Sequence, residues 1–352
     1  MSPITPPSSS RTSAPDVLAH VEELITQARY REAIDELQAA IRHGRSPELE
    51  ARLVALRHLA FGATPRPAAP AFHPPQPTST EGPGALMEVE AADLSLTTLR
   101  SGLSQSGCLL VRNLIATERA AELAAGVDRA LLAFDEAEAA GTDAATGDLA
   151  GWFTQFEPSA GDYRVGGRRK WVRASGAVWT ADSPRMLFEL LELVDTTGIG
   201  ELVTAYLGEP PALSANKCTL RRVPLTTNVG WHQDGAFLGE EVRTINMWLS
   251  LAHCGRTAPG LDLVPRRIDH VVESGTEGAM FDWSVAPDVV SREAANVGVL
   301  RPEFGPGDAL LFDHLLLHST AVEPTMTNER HAIETWFFAP STYPKGQIPL
   351  LY

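Results

Sequence analysis

At 352 residues the chain exceeds what one hydrophobic core ordinarily organises, so a large domain with an appendage is the first expectation. With 44% hydrophobic and 21% charged residues it has an ordinary globular composition, and a formal net charge of −15 excludes nucleic acid as a main partner, because phosphate binding requires a basic surface. Three cysteines (Cys108, Cys218 and Cys254) without C-x-x-C spacing exclude a disulfide framework and a cysteine-based zinc site, and the apolar neighbours of Cys218 and Cys254 mark them as inert core thiols. No apolar run approaches the roughly 18 residues of a membrane span. The first residues lack the apolar stretch of a secretory signal, so a cytoplasmic protein without a membrane partner is expected.

Residues 1–14, rich in Ser, Pro and Thr, read as a disordered N-terminus. Residues 15–61 carry helical periodicity. Val17, Val21, Leu24, Ile25 and Ala28 recur first, then Ala33, Ile34, Leu37, Ala40 and Ile41, then Leu49, Leu53, Leu56 and Leu59. Gly44 closes the second helix and Ser46-Pro47 opens the third. The phrase Ala28-Arg29-Tyr30-Arg31-Glu32-Ala33-Ile34 resembles the turn of a tetratricopeptide-type hairpin, although one such unit cannot bury its own faces. The segment is therefore either a small helical cap docked on the main domain or a module that meets a protein partner or carrier. From 62 to 84, Pro65, Pro67, Pro70, Pro74, Pro75, Pro77 and Pro83 among Ala, Thr and Ser predict a semi-extended linker. Residues 85–352 form the main domain.

Within that domain, 96–104 reads as a short helix, 108–111 as a buried strand and 117–134 as a long helix, followed by loop over 135–162. Residues 184–207 are helical again, with Leu187, Leu190, Leu191, Val194, Ile199, Leu202, Val203 and Tyr206 on one face. Beyond Gly208 the pattern turns to short strands at 214–223, 242–252, 261–264, 297–301, 308–318 and 331–338, suited to a curled antiparallel sheet or barrel. Helices first and strands later define an α+β domain whose helices buttress one sheet.

The chemistry concentrates in Trp231-His232-Gln233-Asp234-Gly235 and in His318. On extended chain His232 and Asp234, two apart, leave the same face. His318 ends the apolar run opened by the turn Gly305-Pro306-Gly307-Asp308, and it can complete a set of two imidazoles and one carboxylate. Such a set holds Fe(II) on one side and leaves other positions open. His314 precedes His318 by four, which on a strand spans roughly 13 Å, too far to share an ion. The remaining histidines receive no metal role: His20, His43, His58 and His73 are expected in solvent, and His253, His270 and His331 as structural or surface residues.

Arg330, twelve residues past His318, and the strand at 244–251 complete an ordered series with H-x-D and His318. Residues 86–352 thereby resemble the phytanoyl-CoA dioxygenase family of Fe(II)/2-oxoglutarate oxygenases. The resemblance includes Gly107-Cys108-Leu109-Leu110-Val111-Arg112-Asn113-Leu114, Ala205-Tyr206-Leu207-Gly208-Glu209 and Pro259-Gly260-Leu261-Asp262-Leu263-Val264-Pro265. It departs at Arg266-Arg267-Ile268-Asp269-His270, where many members carry a Gly-Ser-His turn, so nothing is carried over to His270.

The resemblance implies a double-stranded β-helix core, of the jelly-roll or cupin-like kind, and two cofactors, Fe(II) and 2-oxoglutarate. It implies His232, Asp234 and His318 as metal ligands and catalytic residues, with Arg330 pairing bidentately with the distal carboxylate of 2-oxoglutarate. Thr320, two past His318, is placed to hydrogen-bond that carboxylate, and Trp248 to line the cosubstrate pocket or simply to fill the core. Lys217, Thr219 and Arg221 alternate onto one strand face, from which one is expected to reach the pocket. The activity implied is hydroxylation of a small organic metabolite with O2, releasing succinate and CO2. Related halogenases carry a small residue in place of the carboxylate, so Asp234 favours hydroxylation.

Two segments bear on the substrate. Arg164, Arg168, Arg169, Lys170 and Arg173 cluster with Tyr163, Trp171 and Trp179, either as a mouth for an anionic or carrier-linked substrate or as a basic surface paired with nearby acids. Residues 273–296, with Gly275, Gly278, Met280, Phe281 and Trp283, interrupt the strand pattern and suit a lid. Two other readings stay open. One is a cupin-like metalloenzyme using the same ligands without 2-oxoglutarate. The other is an interaction protein whose N-terminal helices bind a partner above a silent scaffold.

Overall fold

The computed structural model describes residues 13–65, 68, 70–76, 84–159, 163, 168–226 and 230–352. Residues 1–12, Arg164 and, in the 62–84 stretch, Pro67, Pro77 and Pro83 lie outside the described residues.

Three helices open the chain: α1 (Ala14–Thr26), α2 (Tyr30–His43) and α3 (Pro47–Ala63). A capping box on Ser13 and Asp16 starts α1, and Ser46 with Pro47 in the first turn starts α3. Their apolar stripes share one core with Phe188, Ala212 and Leu351. Polar ties fix the docking. Buried Arg57 donates to the Leu351 carbonyl at 2.6 Å, and the His58 ring bonds the Pro349 carbonyl at 2.9 Å. His58 is therefore not in solvent as expected. It lies on the face of α3 that meets the end of the chain, edge-on to Phe156 at 5.5 Å.

The strands are β1 (Glu88–Glu90), β2 (Cys108–Arg112), β3 (Ala177–Trp179), β4 (Ala212–Ser214), β5 (Thr219–Val223), β6 (Thr244–Ser250), β7 (Gly260–Leu263), β8 (Ala309–Phe312), β9 (His318–Ala321), β10 (Arg330–Phe338) and β11 (Pro349–Leu351). Nine of them form one sheet in the order β1-β2-β8-β6-β10-β4-β11, with β5 beside β10 and β3 beside β5. The pairings are antiparallel except β1 with β2. Because side chains alternate along a strand, Asn246 and Trp248 of β6 share a face with their cross-strand partners Trp336 and Glu334 of β10. Helices α4 (Leu96–Ser106), α5 (Thr117–Ala140), α7 (Pro184–Thr196) and α8 (Ile199–Leu207) contribute Leu99, Val127, Leu190 and Val203 to the core that the sheet shares. Three shorter helices are α6 (Arg168–Ala174), α9 (Gly235–Leu238) and α10 (Pro287–Glu293).

A second layer is built from β7 and β9, paired antiparallel so that Leu263 faces His318 and Leu261 faces Thr320. Single bridges widen it: His232 pairs with both His318 and Ser284, and Leu263 with Leu300.

Several elements depart from expectation for identifiable reasons. The 184–207 helix breaks at Thr197-Gly198, where Gly198 takes a φ of +74° open to glycine at no steric cost. The long helix runs on to Ala140 and stops at Gly141, also left-handed. The run 297–301 forms a bridge at Leu300 rather than a strand. Residues 308–318 are not one strand. After Phe312 the chain turns, because the Asp313 carboxylate accepts from the Leu315 amide at 3.0 Å and pairs with buried Arg267 at 2.5 Å. His318 therefore opens β9 in the second layer instead of closing β8 in the first.

Candidate metal centre and its cavity

A cavity of about 490 Å³ lies between the two layers. The second layer brings the histidines together directly. His232 N donates to the His318 carbonyl at 2.9 Å and His318 N to the His232 carbonyl at 3.0 Å, so the two are cross-strand partners with ring centroids 4.4 Å apart. Asp234 completes the group: one ligand atom from each of His232, Asp234 and His318 lies within 4.8 Å of the others. The route to this geometry differs from the extended H-x-D expected. Asp234 is already helical (φ −63°, ψ −23°), because the chain bends into α9 as Gly235 N reaches the His314 carbonyl at 2.8 Å.

Hydrogen bonds fix the tautomers. His232 Nδ1 faces the Gly230 carbonyl at 3.0 Å and His318 Nδ1 the Leu316 carbonyl at 3.0 Å. A carbonyl only accepts, so each Nδ1 carries the proton and each Nε2 keeps its lone pair. Burial, aided by His318, pushes His232 down to about 4, which makes it neutral near pH 7. Burial works against charge on Asp234, yet Lys217, ahead of His232 and His318, holds its carboxyl down to about 2. Lys217 Nζ sits 2.7 Å from Asp234 Oδ1, while Oδ2 faces His318 Nε2 at 4.0 Å.

Arg330 lies in the same cavity at 1% exposure. Its Nη1 donates to the Gly260 carbonyl at 2.8 Å, its Nε has no partner, and no carboxylate of the described residues pairs with it. Burial, then the nearby Arg221, pushes its guanidinium down to about 10. An unpaired buried cation is costly, and the cost disappears when an anion occupies the cavity. The Trp248 ring lies 5.3 Å from the guanidinium, so Trp248 is at once packed core and cavity wall.

The other residues singled out in the sequence also line the cavity: Thr320 on β9, Lys217 just before β5, and Thr219 and Arg221 on β5. Thr219 and Arg221 are engaged by Glu334 at 2.9 and 2.7 Å, which leaves Arg330 as the inner cation without an acid. His314 stays outside the group, its Nε2 3.1 Å from the Glu240 carbonyl.

Sequence reasoning missed Glu334, Asn246 and Gln233. Glu334 and Asn246 stand two or four residues from Trp248 or Arg330 on the same strand faces, so strict alternation would have found them. Gln233, fully buried between His232 and Asp234, donates to the Leu315 and His270 carbonyls at 2.6 and 3.1 Å and accepts from Val272 N at 2.7 Å. It staples the H-x-D bend to the turn before His318. The cysteines are free and buried, with burial pushing Cys108 up to about 12 and Cys218 to about 11.

The basic segment splits. Arg169 pairs with Asp182 at 2.8 Å, Lys170 with Glu138 at 2.6 Å and Arg173 with Asp135 at 2.6 Å. Arg168 lines the cavity instead, with Trp171 and Trp179. In the 273–296 segment, Trp283 lines the cavity and stands edge-on to His232 at 5.4 Å.

The sequence matches no family model and no curated protein. Among solved structures it is similar to EctD from S. alaskensis in its apoform, at 16% identity and a TM-score of 0.49, covering 80% of this chain and 85% of that one. AviO1 from Streptomyces viridochromogenes matches at 19% identity and a TM-score of 0.44, over 71% of this chain and 98% of that one. EvdO2 from Micromonospora carbonacea var. aurantiaca, complexed with 2-oxoglutarate, matches at 14% identity and a TM-score of 0.41, over 72% and 91%.

Among the described residues, no helix is long and apolar enough to cross a membrane.

Proposed function

We propose that this protein is an iron(II)- and 2-oxoglutarate-dependent oxygenase that hydroxylates a small organic molecule with O2, releasing succinate and CO2. The observation that carries the reading is Arg330, a buried guanidinium without an acid, in the same cavity as a cluster of two imidazoles and one carboxylate. The cluster fits the metal by its donors: both Nε2 atoms are free, the carboxylate is ionised, and this mixed set suits Fe(II). When bound, iron with the keto acid and oxygen supplies the oxidant that breaks a C–H bond.

The chain supplies position and charge. His232, Asp234 and His318 would hold the ion from one side. Lys217 engages Asp234 Oδ1 and so leaves Oδ2 for the metal. Arg330, with the hydroxyl of Thr320, would take the distal carboxylate of 2-oxoglutarate against the Trp248 wall. Asp234 fills the position that halogenases leave small, which favours hydroxylation. Two β layers that line one cavity, the smaller widened by the His232–His318 bridge, support a double-stranded β-helix, and the ordered motifs support kinship with the phytanoyl-CoA dioxygenase family. On this reading residues 85–352 are the catalytic domain of a cytoplasmic enzyme, 62–84 a linker and 15–61 a docked cap, whose outer charged surface would be where a protein partner or carrier meets it.

The test is anaerobic addition of Fe(II) and 2-oxoglutarate to the full chain. A visible absorption band is expected with the wild type and not with His318→Ala; a wild type without the band would overturn the reading. An Arg330→Ala variant separates it from a cupin-like metalloenzyme, since loss of the band with metal retained requires a keto-acid site.

A further inference from the structure

The cavity continues outward past the metal ligands, and its charges do not balance. Five cations line it, Arg168, Lys217, Arg221, Arg330 and Lys345, against two acids, Asp234 and Glu334. Lys217 takes Asp234 and Arg221 takes Glu334. Arg330 faces the inner end assigned above to the cosubstrate. Arg168 and Lys345 remain, neither in an ion pair among the described residues.

Helix α6 sharpens the point. Its other cations, Arg169, Lys170 and Arg173, each hold an acid from another element. Of the α6 cations only Arg168 lines the cavity, and it has no acid among the described residues. In a chain with 44 acidic against 29 basic residues, two cations that line one cavity without an acid among the described residues mark a place that awaits an anion.

The same cavity is lined by the aromatic residues Trp171, Phe237 and Trp283, with Phe281 stacked on Trp283 from outside the lining. Trp171, from α6, is 61% exposed. Phe237 and Phe281, 42% and 41% exposed, flank Trp283, one edge-on at 5.9 Å and the other stacked at 4.9 Å with the planes 11° apart. Trp283 in turn reaches the ring of His232, so the wall runs from solvent to a metal ligand. Exposed aromatics clustered at a cavity mouth are characteristic of a binding surface.

We propose that the substrate is an amphiphilic organic anion. Its flat apolar body lies along Trp283 and Trp171, and its carboxylate or phosphate meets Arg168 and Lys345. The word substrate rests on the oxygenase reading, while the subsite stands on these residues alone. A cavity of about 490 Å³ shared with a cosubstrate limits the enclosed part to a small molecule.

The test uses the full chain under anaerobic conditions with Fe(II) and saturating 2-oxoglutarate, following tryptophan fluorescence and calorimetry. The probes are 2-naphthoate, 2-naphthyl phosphate and the neutral 2-naphthamide. Saturable binding of at least one anion is expected, with the amide about fivefold weaker or more. Arg168→Gln and Lys345→Gln should each weaken the anion about fivefold and leave the amide unchanged, and added salt should act in the same direction. Whichever anion binds more tightly identifies the head group as carboxylate or phosphate. The proposal is overturned if neither anion binds, if the amide binds as well as both, if the variants bind the anion like the wild type, or if 2-oxoglutarate displaces it. The Fe(II)/2-oxoglutarate absorption band is read on the same samples. Its absence with naphthoate binding intact would sink the oxygenase reading and leave the anion subsite standing, and the reverse result would do the opposite.

Discussion

The two ends of the cavity are built by different means. The inner end is set by strand register: His232 and His318 are held by two reciprocal backbone hydrogen bonds, and Glu334 and Trp248 stand opposite each other on β10 and β6. Every inner acid has a cation, and one cation, Arg330, has no acid among the described residues. The outer end is carried by a seven-residue helix and by loop, with aromatics left in solvent. Rigid strands fix reacting groups to a fraction of an ångström, while loops vary without disturbing them. On the proposed reading the inner end carries the chemistry and the outer end the choice of molecule.

The largest expected effect is at the ligands. His232→Ala or His318→Ala should reduce iron affinity by at least about 100-fold, more than loss of a supporting residue does, and should abolish turnover. Equilibrium dialysis with Fe(II) checks the first and succinate release the second. Retention of stoichiometric iron in both variants would break the assignment of the inner end.

Next comes Arg330. Its replacement by Ala should weaken 2-oxoglutarate binding by about 100-fold, the scale of a lost buried charge pair of roughly 3 kcal/mol. Lysine should restore little of this, because a point charge lacks the planar fork. The metal-free variant Arg330→Met should be no less stable than the wild type, since it removes a buried cation that has no acid. Chemical denaturation reads that second outcome. A large loss of stability would mean that the guanidinium serves the fold rather than a ligand.

These groups were legible to different degrees. His232 and Asp234 were readable because two residues of chain suffice to bring them together. His318 was readable as a member of the cluster but misplaced, because the turn at Asp313 depends on Arg267, 46 residues away. Arg330 was found by resemblance, and its lack of an acid could not be read from sequence, because Glu334 is claimed by Arg221 through a strand pairing. At the outer end Arg168 and Arg169 are adjacent and indistinguishable on the page. The acid Asp182, which engages one and not the other, lies beyond α6 in the next segment of chain. The two β layers were legible only in part: short strands were visible, but β1, β3 and β11 are three residues each and carry no period.

Gln233 gives an intermediate test, because it belongs to neither end and supports the first. Gln233→Leu removes three hydrogen bonds to backbone and strands the two buried partners, Leu315 O and Val272 N, which should cost about 2–3 kcal/mol. Through the displaced bend it should lower iron affinity about 10- to 100-fold. Denaturant titration and metal titration on one preparation separate the two. Lost stability with unchanged iron affinity would confine Gln233 to folding.

The smallest effect should appear at the rim, and it is the sharpest check on the contrast between the ends. Trp248 is 1% exposed beneath Arg330, and Trp171 is 61% exposed at the mouth. Trp248→Ala empties a packed site and should cost about 3–5 kcal/mol. Trp171→Ala removes a side chain already largely in water and should change stability by no more than about 0.5 kcal/mol. If urea midpoints show Trp171→Ala to be as damaging as Trp248→Ala, the outer aromatics hold the fold together and the rim has no room for a guest. If the midpoint is unmoved while affinity for an aromatic anion falls, stability and selectivity are carried by separate residues, and the mouth can be rebuilt without touching the metal ligands.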